Sequence, residues 1–162
     1  MRNHPELIAR MKDEGHDIGT LGVSHEDLSQ KTGEEQRSEL REAKKAAYEY
    51  GISMEFFRPP YGNYNDSLIR TAWEEGFYTV RWSVDSMDWK NIKDIYIIDR
   101  VSQNATPGSI ILFQGEGKNV ENYLDSIISH FSKSGYKMLK ISELLYDDNY
   151  YVDSSGVQRQ KE

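Results

Sequence analysis

Apolar positions along the chain fall into two alternating rhythms, one helical and one strand-like. Leu7, Ile8 and Met11 share a helical face behind Pro5, which a first turn tolerates, and Gly15 is a natural stop. The longest helical pattern runs over 34–50. Leu40, Ala43, Ala47 and Tyr50 form its inner stripe, acids gather early, Lys44 and Lys45 come late, and Gly51 ends it. Asn65 or Asp66 can cap a third helix through Trp73 and Glu75, closed by Gly76. Further helices are expected over 91–104 and 120–133. Between them lie short runs rich in Ile, Val, Phe and Tyr at 17–21, 55–61, 78–84, 109–114 and 136–141, the length of buried parallel strands. Such alternation predicts an α/β domain over 1–146 with a mostly parallel sheet. The polar segment 147–162 is expected to be a frayed tail.

In parallel α/β proteins function collects in loops at the C-terminal ends of strands. Those ends carry Ser24-His25, Arg58-Pro59-Pro60-Tyr61-Gly62, Asp85-Ser86-Met87-Asp88-Trp89 and Gln114-Gly115-Glu116-Gly117. Two prolines stiffen the segment that holds Arg58, whose planar fork suits a carboxylate; the plain alternative is a rigid turn with a salt bridge. In Asp85-x-x-Asp88-Trp89, one Asp can cap a helix while the other points into a cleft walled by Trp89, or both residues serve only a cap and a core. His25 either ligates a metal or titrates, or is an ordinary structural histidine. His16 reads as structural, and His4 and His130 as helix-surface residues.

Composition narrows the classes. With 37% apolar and 12% aromatic residues the chain is not a disordered tail. The absence of cysteine excludes disulfides and thiolate metal sites. A net charge of -7 argues against a nucleic-acid partner. The apolar run 110–113 is far short of the roughly 20 residues that span a bilayer, and the first residues have no apolar stretch of a secretory signal.

Taken in order, these segments resemble the polysaccharide deacetylase domain (NodB homology, carbohydrate esterase family 4). The stretch from Glu14 to His25 is similar to the family's metal-binding segment, EGHEIGNHTxSH. Arg58-Pro-Pro-Tyr-Gly62 and Asp85-Ser-Met-Asp-Trp89 resemble its third and fourth motifs, and 107–114 the fifth, which normally ends Leu-x-His. The resemblance implies a distorted, TIM-like (β/α) barrel. It implies Zn2+ or a similar divalent ion held by Asp-His-His, chitin- or peptidoglycan-like substrates, and an extracellular or cell-envelope location. It also implies that a backbone amide of the Arg-Pro-Pro-Tyr-Gly turn holds an oxyanion.

The same comparison predicts impairment. The family's Thr-Phe-Asp-Asp-Gly motif is absent, so the barrel is expected to lack its first one or two strands. Leu21 stands where the first metal His belongs, leaving His25 as the sole candidate ligand, and Gln114 stands where the acid His belongs. By family analogy Arg58 would orient the base and Asp88 would tune the acid; here they would support the site, pairing with each other or with Gln114. Tyr61, Trp89, Leu112 and Gln114 would line a glycan groove. No cofactor is expected unless the chain is active, when Zn2+ or another divalent metal is. A homodimer through exposed barrel edges is expected. The function implied is a degenerate deacetylase-like protein with a glycan-binding or structural role; the alternative is a working N-acetyl hydrolase.

Overall fold

The computed structural model describes residues 4–115 and 119–161. The chain divides into two compact units, Met1–Arg81 and Trp82–Glu162.

In the first unit, α1 (Pro5–Asp13) ends where Gly15, at φ 78°, turns the chain: its N–H donates to Lys12 O, and that of His16 to Met11 O. α1 buries none of its residues; Ile8 rests against the core. Thr32 and Glu35 close a reciprocal capping box on α2 (Gly33–Tyr48), which turns Leu40, Ala43 and Ala47 inward. Strands β1 (Phe56–Phe57) and β2 (Tyr78–Thr79) pair in parallel, with Phe56 opposite Tyr78 and Phe57 opposite Thr79. Asn65 caps the intervening α3 (Asp66–Glu74) by accepting from Leu68 N at 2.9 Å. The core gathers Leu40, Ala47, Met54, Phe57, Leu68 and Phe77. The expected strand over 17–21 is reduced to one parallel bridge, Thr20 to Phe57.

In the second unit, β3 (Val84–Asp85) pairs in parallel with β4 (Ile111–Leu112), Val84 opposite Ile111 and Asp85 opposite Leu112. Helix α4 (Asp94–Asn104) packs on β3 and on α5 (Val120–Lys133), and both helices share one apolar cluster with Val84 and Ile111. Ile97 and Val101 from α4 meet Tyr123, Ile127 and Phe131, which recur every fourth residue of α5. The run expected as one strand over 78–84 thus divides into β2 and β3.

Two expectations fail here. Residues 136–140 form no strand, and the helical turn α6 (Ile141–Leu144) follows. Met138 and Leu139 are about half exposed, 54% and 51%, so no buried face holds an extended segment. The Glu143 carboxylate meanwhile accepts from Lys140 N and favours the turn. The polar tail is not frayed over 150–160: β5 (Tyr150–Val152) and β6 (Gln158–Gln160) form an antiparallel hairpin. Asp153 builds its turn, accepting from Ser155 N, Val157 N and Arg159 Nε within 3.0 Å. Among the described residues no helix is long and apolar enough to cross a membrane.

Candidate functional site

The first unit carries His25, Arg58 and Tyr61 on two adjoining loops. Register with β1 fixes the outer one: Thr20 N donates to Phe56 O and Arg58 N to Thr20 O, both at 2.9 Å. Beyond the bridge, the Gly22 N–H donates to Thr20 Oγ1 at 3.0 Å. Gly22 sits at φ 90°, a conformation that calls for glycine, and a β-carbon there would lie 2.9 Å from Glu39 Oε2, so that carboxylate would have to shift. Glu39, reaching over from α2, accepts from Val23 N at 2.6 Å and Ser24 N at 2.9 Å. Burial pushes the Glu39 carboxyl upward, but these backbone bonds and the Ser24 hydroxyl outweigh it and hold its pKa below the ordinary range.

Asn63 and Asn65 stitch the two loops together. Asn63 donates to the Asp27 carboxylate at 2.8 Å and Asn65 to Ser29 O at 2.8 Å. Asp27 also caps the 3₁₀ turn Leu28–Gln30, and the Ser29 hydroxyl and Asn63 amide lower its pKa. The Arg-Pro-Pro-Tyr-Gly segment leaves β1 extended and turns over Pro60–Gly62, where Gly62 N donates to Pro59 O. Pro59 and Pro60 are buried; Arg58 is partly so, and burial lowers the pKa of its guanidinium. Tyr61 is 65% exposed. His25 and Tyr61 both hold left-handed backbone, at φ 58° and 60°, and their rings meet edge to face at 5.2 Å.

The second unit carries Asp88, Trp89, Leu112 and Gln114. Met87 and Asn91, at φ 59° and 51°, bracket the 3₁₀ turn Asp88–Lys90. Asp88 is 1% exposed and does not face an open cleft. Its carboxylate accepts from Gln114 N and Gly115 N at 2.9 Å, Tyr123 Oη at 3.0 Å and Ser86 Oγ at 3.1 Å. Burial opposes the charge, but the four donors prevail and the pKa is lowered. Burial and the Asp88 carboxylate together push the Tyr123 phenol up to about 12. Asp88 therefore pairs with the backbone of Gln114, whose side chain lies in an exposed residue.

Trp89 is not a core residue. It is 46% exposed, and its indole N–H lies 3.4 Å from both oxygens of Asp85, which also accepts from Met87 N at 2.8 Å. Leu112 is 4% exposed, with its carbonyl accepting from Ser86 N. Of the last strand-end cluster, Glu116 and Gly117 lie outside the described residues.

Glu39, Asn63 and Tyr123 were not singled out by sequence; Asn65 was read only as a helix cap and Ser86 only as part of its motif. Asn63 and Asn65, straddling Tyr64 behind Gly62, carried a turn signal. Tyr123 reads from sequence only as one apolar position of a helix, and nothing there pairs it with a carboxylate 35 positions earlier.

A family-type metal needs three ligands and an open position. Among the described residues no three of His, Asp and Glu converge. His25 rests against Tyr61, Asp27 is engaged by Ser29 and Asn63, and Leu21 has no lone pair to offer. The described donors do not fit such an ion.

The family pattern "Polysaccharide deacetylase" matches residues 1–80. The chain is 32% identical over 159 residues to the peptidoglycan-N-acetylmuramic acid deacetylase PdaA of Bacillus subtilis, covering 95% of this chain and 60% of that protein. It is also 32% identical over 150 residues to a peptidoglycan-N-acetylglucosamine deacetylase of Bacillus cereus, covering 90% and 70% respectively. A crystal structure of a CE4 family pseudoenzyme from Bacillus anthracis superposes with a TM-score of 0.83 at 24% identity, over 88% of this chain and 51% of that one, a likeness of fold. The α/β fold is thus of the TIM-like barrel type, and the chain belongs to the polysaccharide deacetylase family.

Proposed function

We propose that this chain is a degenerate polysaccharide deacetylase domain that binds N-acetylated, peptidoglycan- or chitin-like glycan without hydrolysing it. The observation that carries this reading is the use made of Asp88. Where the family tunes an acid histidine, this carboxylate is buried and spent on the backbone of Gln114 and Gly115, on Tyr123 and on Ser86. Gln114 brings no proton donor of suitable pKa. The loop around His25 supports the same reading, because Leu21 and the tightly placed Gly22 leave one imidazole there.

Exposed aromatic surface remains for a sugar ring. Tyr61 and Trp89 stand 65% and 46% exposed, the latter with its indole N–H held toward Asp85. Burying an aromatic face against a pyranose contributes mainly through apolar area. Titration with an N-acetylglucosamine pentamer is expected to saturate, and Trp89→Ala to weaken binding about tenfold with no acetate released by either protein. Absence of binding by the unaltered chain would contradict the proposal.

One observation favours the second reading, hydrolysis of N-acetyl groups. Tyr61 sits at φ 60° within the Pro60–Gly62 turn, where the resemblance implies an oxyanion donor. That reading requires a ligand set that His25, even with Asp27, does not supply.

A further inference from the structure

The second unit holds an open pocket of about 420 Å³ at the N-terminal ends of α4 and α5. Asn91, Lys93, Asp94 and Asn119 form its polar rim, and Ile97 and the buried ring of Tyr123 its apolar floor. We propose that this pocket is a subsite for one N-acetylhexosamine unit.

The chemistry of the rim selects a neutral ligand. Two helix N-termini would ordinarily attract an anion. Here Asp94 occupies the first turn of α4 and Glu121 that of α5, so the positive ends are already answered. The rim adds one cation, Lys93, to the anion of Asp94 and brings no net charge of its own. What remains is two carboxamides, each offering a donor and an acceptor, above an apolar floor. That combination matches an acetamido sugar: amide N–H and C=O to the carboxamides, methyl group to Ile97 and the Tyr123 ring. The size fits a single pyranose, at the low end of small-ligand sites.

The pocket is wired to the Asp88 clamp from two sides. Asn91 N donates to Asp88 O at 3.2 Å, and the Tyr123 phenol donates to the Asp88 carboxylate at 3.0 Å. Asn119 is itself aligned by donating to Asp94 at 3.2 Å. A sugar seated here contacts residues that also set the loop carrying Gln114.

Choosing a hexosamine over other neutral amides rests on the glycan-binding reading above, and the test separates the two. N,N′-diacetylchitobiose and cellobiose, which lacks the acetamido groups, are titrated into the ¹⁵N-labelled 162-residue chain. Shifts of the Asn91, Ile97 and Asn119 resonances with diacetylchitobiose, and at least about fivefold weaker binding of cellobiose, are expected. Asn91→Gly keeps the left-handed backbone and removes the carboxamide; combined with Asn119→Ala it is expected to weaken diacetylchitobiose about tenfold at an unchanged thermal midpoint. Binding that survives this pair but is lost in Trp89→Ala would overturn the subsite and leave the glycan reading standing. Equal affinity for cellobiose would likewise overturn the subsite. Failure of every glycan to bind the unaltered chain would overturn both.

Discussion

Replacing Asp88 with Asn would keep its volume and remove one of its two accepting oxygens. Gln114 N, Gly115 N, Tyr123 Oη and Ser86 Oγ now share those two atoms. The Ser86 hydroxyl can rotate to accept from the new amide, but Gln114 N at 3.1 Å, Gly115 N at 2.9 Å and Tyr123 Oη at 3.0 Å then crowd onto the one remaining, uncharged oxygen. Asp88→Asn is therefore expected to cost about 2–4 kcal/mol, read as a lower denaturant midpoint. An unchanged midpoint would show that the carboxylate is not the clamp described. At this scale the sequence was only partly legible. It exposed Asp88 and the neighbouring Ser86 through their motif, but the other three donors come from residues 26 to 35 positions away and become neighbours only in the folded chain. For Trp89 residue type left a cleft wall and a core role both open; it stands at the surface, beside Asp85 and Lys90.

Elements were more legible where periodicity was long. The spacing of Leu40, Ala43 and Ala47 and the stops at Gly15 and Gly76 locate helices to within a residue or two. Strands were less so, because each of the parallel ones pairs over only two residues and two-residue contacts leave little periodicity. Residues 136–140 look like a strand by composition, yet burial decides, and their apolar side chains face solvent. The bridge that sets the His25 loop can be tested at this scale. A β-carbon on Gly19 would lie 2.8 Å from Phe56 O, a backbone atom that cannot swing aside. Gly19→Ala is expected to push 19–21 off β1 at a cost of about 1–3 kcal/mol and to speed amide exchange at Thr20 and Arg58. Protection unchanged at those two amides would contradict this.

For the molecule as a whole, the pKa shifts set the limits of stability. Asp27, Glu39, Glu75, Asp88 and Asp153 all titrate below the ordinary carboxylate range. Their stabilisation is in force above the unfolded carboxylate values, near 4, and is lost as pH falls through the lowered folded values. Tyr123 acts in the opposite sense: its phenol rises to about 12, so stability held below pH 10 declines as pH climbs from 10 toward 12. Thermal midpoints measured across pH should bend at both ends, and Tyr123→Phe should flatten the alkaline bend. An alkaline limb identical in the two proteins would remove Tyr123 from this role.

The central claim is that the family's hydrolytic chemistry has been replaced by binding. It is tested most directly by acetate release from an N-acetylglucosamine oligomer by the purified chain, with Zn2+ or Co2+ supplied and bound metal counted. The account predicts no acetate above the protein-free control and no ion held in stoichiometric amount. One tightly held ion per chain, with metal-dependent acetate release that is lost in His25→Ala, would contradict it.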